Sequence, residues 1–228
     1  MDNKPKISVF TSCLNTGKYL RETLDSILSQ NFDEFEIILV DAGSTDDTSQ
    51  ILEDYKSDQR LKVFIEPGIN AQDGFISAFH KTTGQYVMCM PISDSYISNF
   101  WFKKCADILE QNQEISLVHG ISIHNNDYDE YFYINPPPAS NWIDSPEYGQ
   151  AYGAAFLCHR DLFNRVKFMD ARFKFTHKGV SHDIEYQPTE TTAGHDLLRA
   201  TNSICLKSKD FFYFHVDHLS GYEFNKKL

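Results

Sequence analysis

A lone carboxylate, Asp94, follows the apolar run 86–90 and stands between Ser93 and Ser95. Carboxylate oxygens are ligands that hard divalent cations such as Mg²⁺ and Mn²⁺ accept, so this position suits a cation that holds a small anionic ligand. Asp and Ser are also common in turns and at helix N-caps. The spacing alone favours this structural role for Asp94.

Two other polar segments occupy equivalent places in the sequence. Segments 11–15, 41–47 and 93–95 each follow an apolar run that is typical of a buried strand. In a parallel sheet the carboxyl ends of the strands share one edge, and ligands bind beyond that edge. We therefore predict one site built from these three segments.

The elements that would position this site alternate between strand and helix. Predicted strands cover 6–10, 37–40, 60–66, 85–90 and 115–124, and predicted helices cover 17–30, 48–56, 71–82 and 99–111. Thr45 or Asp46 is the expected N-cap of the second helix, and Gly84 is expected to end the third. This alternation predicts an α/β fold with right-handed crossovers and a mostly parallel sheet.

The periodicity changes after about residue 125. Segment 125–150 is rich in Tyr, Pro and Asn and has no clear period, which is typical of a functional or mobile stretch. A short strand and helix are predicted in 153–166, a helix in 191–206 and a strand in 210–216. We expect this part to form a smaller subdomain that completes a cleft within one domain.

Composition excludes several classes of function. The chain has 228 residues and a net charge of −11, which argues against a broad surface for nucleic acid or anionic membranes. Its five cysteines form no CxxC pair, which favours reduced thiols and a cytoplasmic location. No secretory signal and no apolar run of about 20 residues is present, so we expect at most peripheral membrane contact at the inner face.

Four stretches resemble the family 2 nucleotide-sugar glycosyltransferases, which have the GT-A fold. They are ISVFTSCLNTGKYLRETLDSILSQ (7–30), FEIILVDAGSTDDTSQIL (35–52), GQYVMCMPISDSYISNFWFKK (84–104) and GAAFLCHRDLFNRVKFMDARF (153–173). The second is similar to the family's VDDGSTDDT segment and is the most specific. The resemblance implies one GT-A domain, Rossmann-like, with a nucleotide-binding half at about 1–124 and an acceptor-binding half at about 125–228.

The resemblance also implies which residues contact the nucleotide. Thr11 and Cys13 would line the nucleoside, and Asp41 would contact the base or ribose. Ala42 replaces the second acid of the usual motif, which weakens any inference about the base. Asp73 falls near the family's phosphate contacts, although a helix-surface role is equally compatible with its position. Ser93 is also predicted to contact the nucleotide.

By the same likeness, Asp94 takes the position of the family's metal-binding acid, and Ile92 and Ser95 replace its acidic neighbours. A bound Mn²⁺ or Mg²⁺ would offset the charge of the departing diphosphate. A histidine late in the sequence is expected as an additional metal ligand, with His218 preferred to His215. The pair is also compatible with structural roles near a strand end.

An inverting transferase needs one general base that takes the proton of the acceptor hydroxyl. Asp196, in TTAGHDLLRATNS, is the best match to the family's base at the start of a late helix. Asp183, in SHDIEYQ, is a rival in the same kind of context. Sequence alone does not separate the two.

The resemblance predicts metal-assisted transfer from a nucleoside diphosphate-sugar, with UDP-sugar expected, to a glycan or lipid-linked acceptor. Surface polysaccharide or glycoconjugate assembly is the implied setting. The alternative is a catalytically reduced GT-A domain that binds nucleotide-sugar or glycan without turnover. A nucleotidyltransferase ranks last, because the loop after the first strand lacks a Gly- and Lys/Arg-rich phosphate cradle.

Overall fold

The protein is described here by a computed structural model that covers residues 4–113, 115–126, 132–135, 145–148, 157–161, 172–177, 180–185 and 204–217. Its helices are α1 (Gly17–Leu28), α2 (Thr48–Asp54), α3 (Ala71–Lys81) and α4 (Trp101–Gln111). Its strands are β1 (Ile7–Cys13), β2 (Phe35–Asp41), β3 (Leu61–Ile65), β4 (Tyr86–Cys89), β5 (Ser95–Tyr96), β6 (Ile115–Asn126), β7 (Phe132–Asn135), β8 (Ser145–Tyr148), β9 (Leu157–His159), β10 (Arg172–His177), β11 (Val180–Glu185) and β12 (Ile204–Asp217).

Ten of these strands form one sheet in the order β3-β2-β1-β4-β9-β6-β12-β5, with β7 paired to β6 and β8 paired to β12. The first four strands are parallel, as predicted. Beyond them, β9 lies antiparallel between β4 and β6, and β6 and β12 pair in parallel. The α/β prediction is confirmed, with antiparallel pairs concentrated in the second half of the sheet.

Helices cover both faces of the sheet. On one face, Leu20, Leu24 and Ile27 of α1 pack with α4 and with the side chains of Ile7 and Val9. Their spacing of four and three residues matches one helical face, which is why the sequence predicted this helix. On the other face, Phe10, Ile38 and Val40 pack against Ala78 and Phe79 of α3. Burial on both faces explains why β1 and β2 are continuous apolar runs.

Two predicted helix caps are wrong. Asp47 rather than Thr45 or Asp46 occupies the N-cap position of α2, although Asp46 Oδ1 accepts the Thr48 N–H at 3.0 Å. The third helix ends at Lys81, followed by Thr82 in an extended conformation. Gly84 instead donates its N–H to Ser8 Oγ at 2.8 Å, so this glycine serves a close approach to β1 rather than a helix end.

The second half departs further from the sequence prediction. Residues 204–206 belong to β12, not to the helix predicted for 191–206, because they pair with β6 and β8. Strands β7 and β8 lie inside the segment 125–150 that shows no period. Strands β10 and β11, which no pattern indicated, form a separate antiparallel pair.

Among the described residues, none of the helices has the length and apolar character needed to cross a membrane. Four cysteines, Cys13, Cys89, Cys105 and Cys158, are buried, and none of them forms a disulfide within the part of the chain that the structure describes.

Candidate active site

The strand order reverses beside β1, and this reversal defines the candidate site. From β1 the chain builds β2 and β3 on one side, and β4 then returns to the other side of β1. In parallel α/β sheets, ligands bind outside the carboxyl ends of the strands at such a reversal. The loops after β1, β2 and β4 leave the sheet at this edge, as the sequence predicted.

Asp41 ends β2 and organises the loop that follows it. Its side chain is 1% exposed, and Oδ1 accepts hydrogen bonds from the N–H of Gly43 at 3.2 Å and of Ser44 at 2.9 Å. The Ser44 hydroxyl also donates to this oxygen at 2.7 Å. Gly43 has a φ of 96°, a conformation that side-chain-bearing residues rarely adopt. The carboxylate therefore fixes the shape of the loop in addition to any contact with a ligand.

Asn15 ties the loop after β1 to the loop after β2, and the sequence analysis missed this role. Its N–H donates to Ser44 Oγ at 2.9 Å, and its Oδ1 accepts the N–H of Thr45 at 2.8 Å and of Asp46 at 3.3 Å. Its φ is 54°, in the left-handed region that Asn tolerates better than most residues. The sequence signal for this role was an asparagine just before the predicted start of a helix.

Asp46 strengthens the same junction from the other side. Its Oδ2 accepts the Gly17 N–H at 3.0 Å, so one carboxylate serves the first turns of both α1 and α2. Desolvation raises the pKa of Asp46, but the hydrogen bonds from Thr48 and Gly17 outweigh it and lower the pKa below its ordinary value. The two loops thus form one hydrogen-bonded unit at the edge of the sheet.

Substitution of Asn15 tests how much this junction contributes to stability. We expect Asn15→Ala to lower the free energy of unfolding by about 2 kcal/mol, because it removes the acceptor and places alanine, which tolerates a left-handed φ less well than asparagine, at this position. Asn15→Gly also loses the acceptor but adopts the left-handed φ without strain, so it should cost about 1 kcal/mol. Urea denaturation measures both. Equal and negligible losses for the two variants would contradict the bridging role.

Thr11 and Cys13 lie within β1 rather than after it, because β1 pairs with β2 as far as Asp41. Thr11 is fully buried, and its Oγ1 makes no hydrogen bond to any residue that the structure describes. Burial and the negative charge of Asp41 raise the pKa of the Cys13 thiol to about 12. Cys13 is therefore a neutral side chain near neutral pH rather than a thiolate nucleophile.

The start of α3 lies against the end of β1. A methyl group on Gly74 would lie 2.1 Å from Ser12 Oγ, so only glycine allows this close approach without a shift of Ser12. Asn70 caps the helix: its Oδ1 accepts the Asp73 N–H at 2.8 Å, and its Nδ2 donates to Asp73 Oδ2 at 2.8 Å. Asp73 thus has a capping role, and its contact with phosphate stays a prediction.

The loop after β4 holds Asp94 with its side chain fully buried. Asp94 Oδ1 accepts a hydrogen bond from Ser93 Oγ at 3.3 Å. Thr23 of α1 donates its hydroxyl to the Asp94 carbonyl oxygen at 2.8 Å and accepts the Ser93 N–H at 3.3 Å. Asp94 is therefore a buried acid anchored to α1, and it closes a turn, because its N–H donates to Pro91 O at 3.3 Å. The alternative role as a helix N-cap is wrong, because α4 begins at Trp101 with Phe100 at its N-cap.

The predicted base and the predicted histidine ligands lie in the second half of the chain. Asp196 and His218 lie outside the described residues. Asp183 lies within β11, opposite Lys174 of β10, and not at the start of a helix as its sequence context suggested. His215 is paired with His124 in the β12–β6 ladder. Among the described side chains, no three His, Cys, Asp or Glu groups cluster closely enough to hold a metal ion by themselves.

Comparison with known proteins gives a consistent result. The family model for glycosyl transferase family 2 matches residues 8–182. The chain is 27% identical over 185 residues to the uncharacterized glycosyltransferase EpsJ of Bacillus subtilis, covering 74% of this chain and 53% of that protein. It is 30% identical over 146 residues to the putative teichuronic acid biosynthesis glycosyltransferase TuaG of the same organism, covering 63% and 54%. The chain thus spans about half the length of these relatives.

Solved structures share the fold. Staphylococcus aureus TarS in complex with UDP-GlcNAc superposes with a TM-score of 0.70 at 18% identity, over 93% of this chain and 59% of that chain. The mannosyltransferase PcManGT of Pyrobaculum calidifontis, in complex with GDP-Man and Mn²⁺, superposes with a TM-score of 0.65 at 13% identity, over 98% and 60%. The predicted GT-A fold is confirmed.

Proposed function

Because the chain belongs to glycosyl transferase family 2, we propose that it transfers a sugar from a nucleoside diphosphate-sugar to a hydroxyl of a saccharide or lipid-linked acceptor. The supporting observation is the placement of Asp41 and Asp94 after β2 and β4, the two strands that flank β1 at the reversal point of the sheet, where α/β folds bind ligands. Thr11, Cys13, Asp41, Asp73 and Ser93 are the proposed contacts to the nucleotide.

We propose a UDP-sugar as the donor. This choice is supported by TarS, which is described as a poly(ribitol-phosphate) beta-N-acetylglucosaminyltransferase and has been solved with UDP-GlcNAc. PcManGT, solved with GDP-Man, makes GDP-mannose the main competitor. Ala42 is 6% exposed and replaces an acid of the usual motif, so the base is better assigned by experiment than by analogy.

The proposed reaction is a single in-line displacement with inversion. The acceptor oxygen attacks C1 of the donor sugar, and the bond from C1 to the diphosphate oxygen breaks. The nucleoside diphosphate leaves with the bonding electrons, while a carboxylate takes the proton of the acceptor hydroxyl. Asp196 is the proposed base and Asp183 its rival. A product that retains the anomeric configuration would contradict this scheme.

A divalent cation, Mn²⁺ or Mg²⁺, fits this site only as a shared ion. Asp94 would supply one carboxylate ligand. The described side chains offer no complete ligand set, so diphosphate oxygens would supply others. The full burial of Asp94 supports the assignment, because a buried carboxylate is stabilised by a neighbouring positive charge. When bound, the cation would offset the charge that develops on the leaving diphosphate. His218 is the proposed helper ligand.

A domain that binds nucleotide-sugar without turnover is the competing proposal. Ile92, which stands where the family often has an acid, is 6% exposed and packs in the hydrophobic core. That position is therefore structural in this chain, and the acidic motif is reduced to Asp94. Such a reduction is compatible with either a single-acid enzyme or a lost activity.

We place the reaction in the cytoplasm, with any membrane contact peripheral. The absence of a disulfide at the buried Cys13, Cys89, Cys105 and Cys158, among the described side chains, supports a reducing compartment.

A donor-turnover assay separates the two proposals. The protein is incubated with UDP-GlcNAc, UDP-glucose, GDP-mannose and a dTDP-sugar, each with Mn²⁺ or with EDTA, and released nucleoside diphosphate is measured by chromatography. The enzyme proposal predicts slow release from a UDP-sugar that requires the cation and accelerates with a saccharide or lipid-linked acceptor. Saturable UDP binding with no release from any donor would instead establish the binding module.

A further inference from the structure

We propose that Thr23 of α1 is a positioning residue that sets the orientation of the Asp94 carboxylate toward the donor diphosphate and its cation. The proposal rests on the proposed function, because it assigns Thr23 a role in that same site. Thr23 itself lies in the buried stripe of α1 beside Leu20, Leu24 and Ile27, where an apolar side chain would ordinarily pack. A hydroxyl at such a buried position needs a hydrogen-bond partner.

The Thr23 hydroxyl makes two contacts to one short segment. It donates to the Asp94 carbonyl oxygen at 2.8 Å and accepts the Ser93 N–H at 3.3 Å, and Thr23 is fully buried. A helical threonine commonly turns its hydroxyl to the carbonyl one turn earlier. Here the hydroxyl instead spans 71 residues of sequence to reach the loop after β4.

These two contacts control the direction of the Asp94 side chain. The backbone torsions that set the direction of the Asp94 Cα–Cβ bond lie between the Ser93 nitrogen and the Asp94 carbonyl group. Hydrogen bonds at both ends of this segment therefore restrict those torsions. Ser93 has a φ of 152°, which non-glycine residues seldom adopt and which persists only when its surroundings enforce it. Asp94 N–H also donates to Pro91 O at 3.3 Å, which closes the loop on itself.

The other side of the loop is held by the sheet. Strand β5 follows Asp94 directly and pairs antiparallel with β12 through Ser95 and Tyr96. The Asp94 loop is therefore fixed between α1, through one hydroxyl, and β12, through a short ladder. Loss of that hydroxyl releases one of the two anchors while the sheet and the hydrophobic packing remain.

Two substitutions of Thr23 and one control test the proposal. Thr23→Val keeps the shape and removes the hydroxyl, whereas Thr23→Ser keeps the hydroxyl. Thr82→Val is the matched control, since Thr82 is also buried and hydrogen-bonded but lies after α3, where its hydroxyl bonds to Phe79 O. Thr23→Ala is a second deletion of the hydroxyl in case the valine variant folds poorly.

The measurements are the Mn²⁺ concentration for half-maximal donor turnover, the affinity for Mn²⁺ in the presence of UDP by titration calorimetry, and the melting temperature. We expect Thr23→Val and Thr23→Ala to weaken both Mn²⁺ constants by about tenfold, because both hydrogen bonds that hold the Asp94 segment to α1 are lost. Thr23→Ser should restore them, and Thr82→Val should lower only the melting temperature. Wild-type Mn²⁺ constants in the two deletion variants, or a serine variant as defective as the valine variant, would overturn the proposal.

The same data separate this proposal from the proposed function. If the wild-type protein binds Mn²⁺ and UDP without donor turnover, the enzyme proposal fails, while a tenfold weaker Mn²⁺ affinity in Thr23→Val still supports the positioning role. If the wild-type protein binds no Mn²⁺ with UDP, the positioning role is overturned as well.

Discussion

Replacing Asp94 with asparagine is expected to reduce kcat for sugar transfer by about 10²–10³-fold, because the variant keeps the shape of the side chain and loses its negative charge. The amide cannot balance a divalent cation beside the diphosphate, so the leaving group departs with less stabilisation. Asp94 is fully buried and its backbone is anchored to Thr23, so the loop geometry should survive. Steady-state kinetics with saturating UDP-sugar and a range of Mn²⁺ concentrations measures the effect.

The matched control for this variant is Asp58→Asn. Asp58 lies just before β3 and pairs with Arg60 at 2.7 Å, in the loop that leads into the amino end of that strand. It should keep wild-type kcat while losing a little stability. Circular dichroism melting excludes unfolding as the cause of lost activity in Asp94→Asn. A folded Asp94→Asn protein with kcat within about threefold of wild type would show that Asp94 has no important role in the reaction.

Replacing Glu36 with alanine is expected to lower the free energy of unfolding by about 3 kcal/mol. Glu36 is 2% exposed, and its Oε1 accepts hydrogen bonds from Ser8 Oγ at 2.7 Å and from the N–H and hydroxyl of Thr83 at 2.7 and 2.8 Å. Its Oε2 accepts from Lys62 Nζ at 2.7 Å. The truncated variant leaves the buried Ser8 hydroxyl without this acceptor, whereas the exposed Thr83 and the half-exposed Lys62 regain water. Urea denaturation followed by tryptophan fluorescence measures the loss.

The charge of Glu36 also predicts how stability depends on pH. Burial raises the pKa of Glu36, but hydrogen bonds from Lys62, Ser8 and Thr83 outweigh it and hold the pKa below its ordinary value. A carboxyl with a lowered folded-state pKa contributes stability above its unfolded pKa, about 4.3, and loses it as the pH falls through the folded pKa. Glu36→Gln should therefore flatten the decline of melting temperature in acid. Parallel pH profiles for wild type and variant would refute this contribution.

The first half of the fold was predictable because its signals are local. The stripe of Leu20, Leu24 and Ile27 and the runs that became β1, β2 and β4 carry their own periodicity. Strands β7, β8 and the start of β12 were missed because their pairing with distant strands, rather than their own pattern, defines them.

The candidate site was predictable only as a location. Asp41 and Asp94 could be placed at one edge of the sheet, because the ends of parallel strands share that edge. The bridging role of Asn15 and the anchoring role of Thr23 involve partners 29 to 31 and 70 to 71 residues away, which no local pattern encodes. Thr23 was visible only as a polar residue within an apolar stripe, and its partner required the structure.

The most direct test of the central claim is a crystal structure of the protein with UDP and Mn²⁺, with anomalous diffraction used to locate the manganese. We predict one anomalous peak about 2 Å from an Asp94 carboxylate oxygen, with the diphosphate bound to the same ion beyond the carboxyl ends of β1 and β4. A manganese peak or a diphosphate located away from Asp94 and from that edge of the sheet would contradict the account.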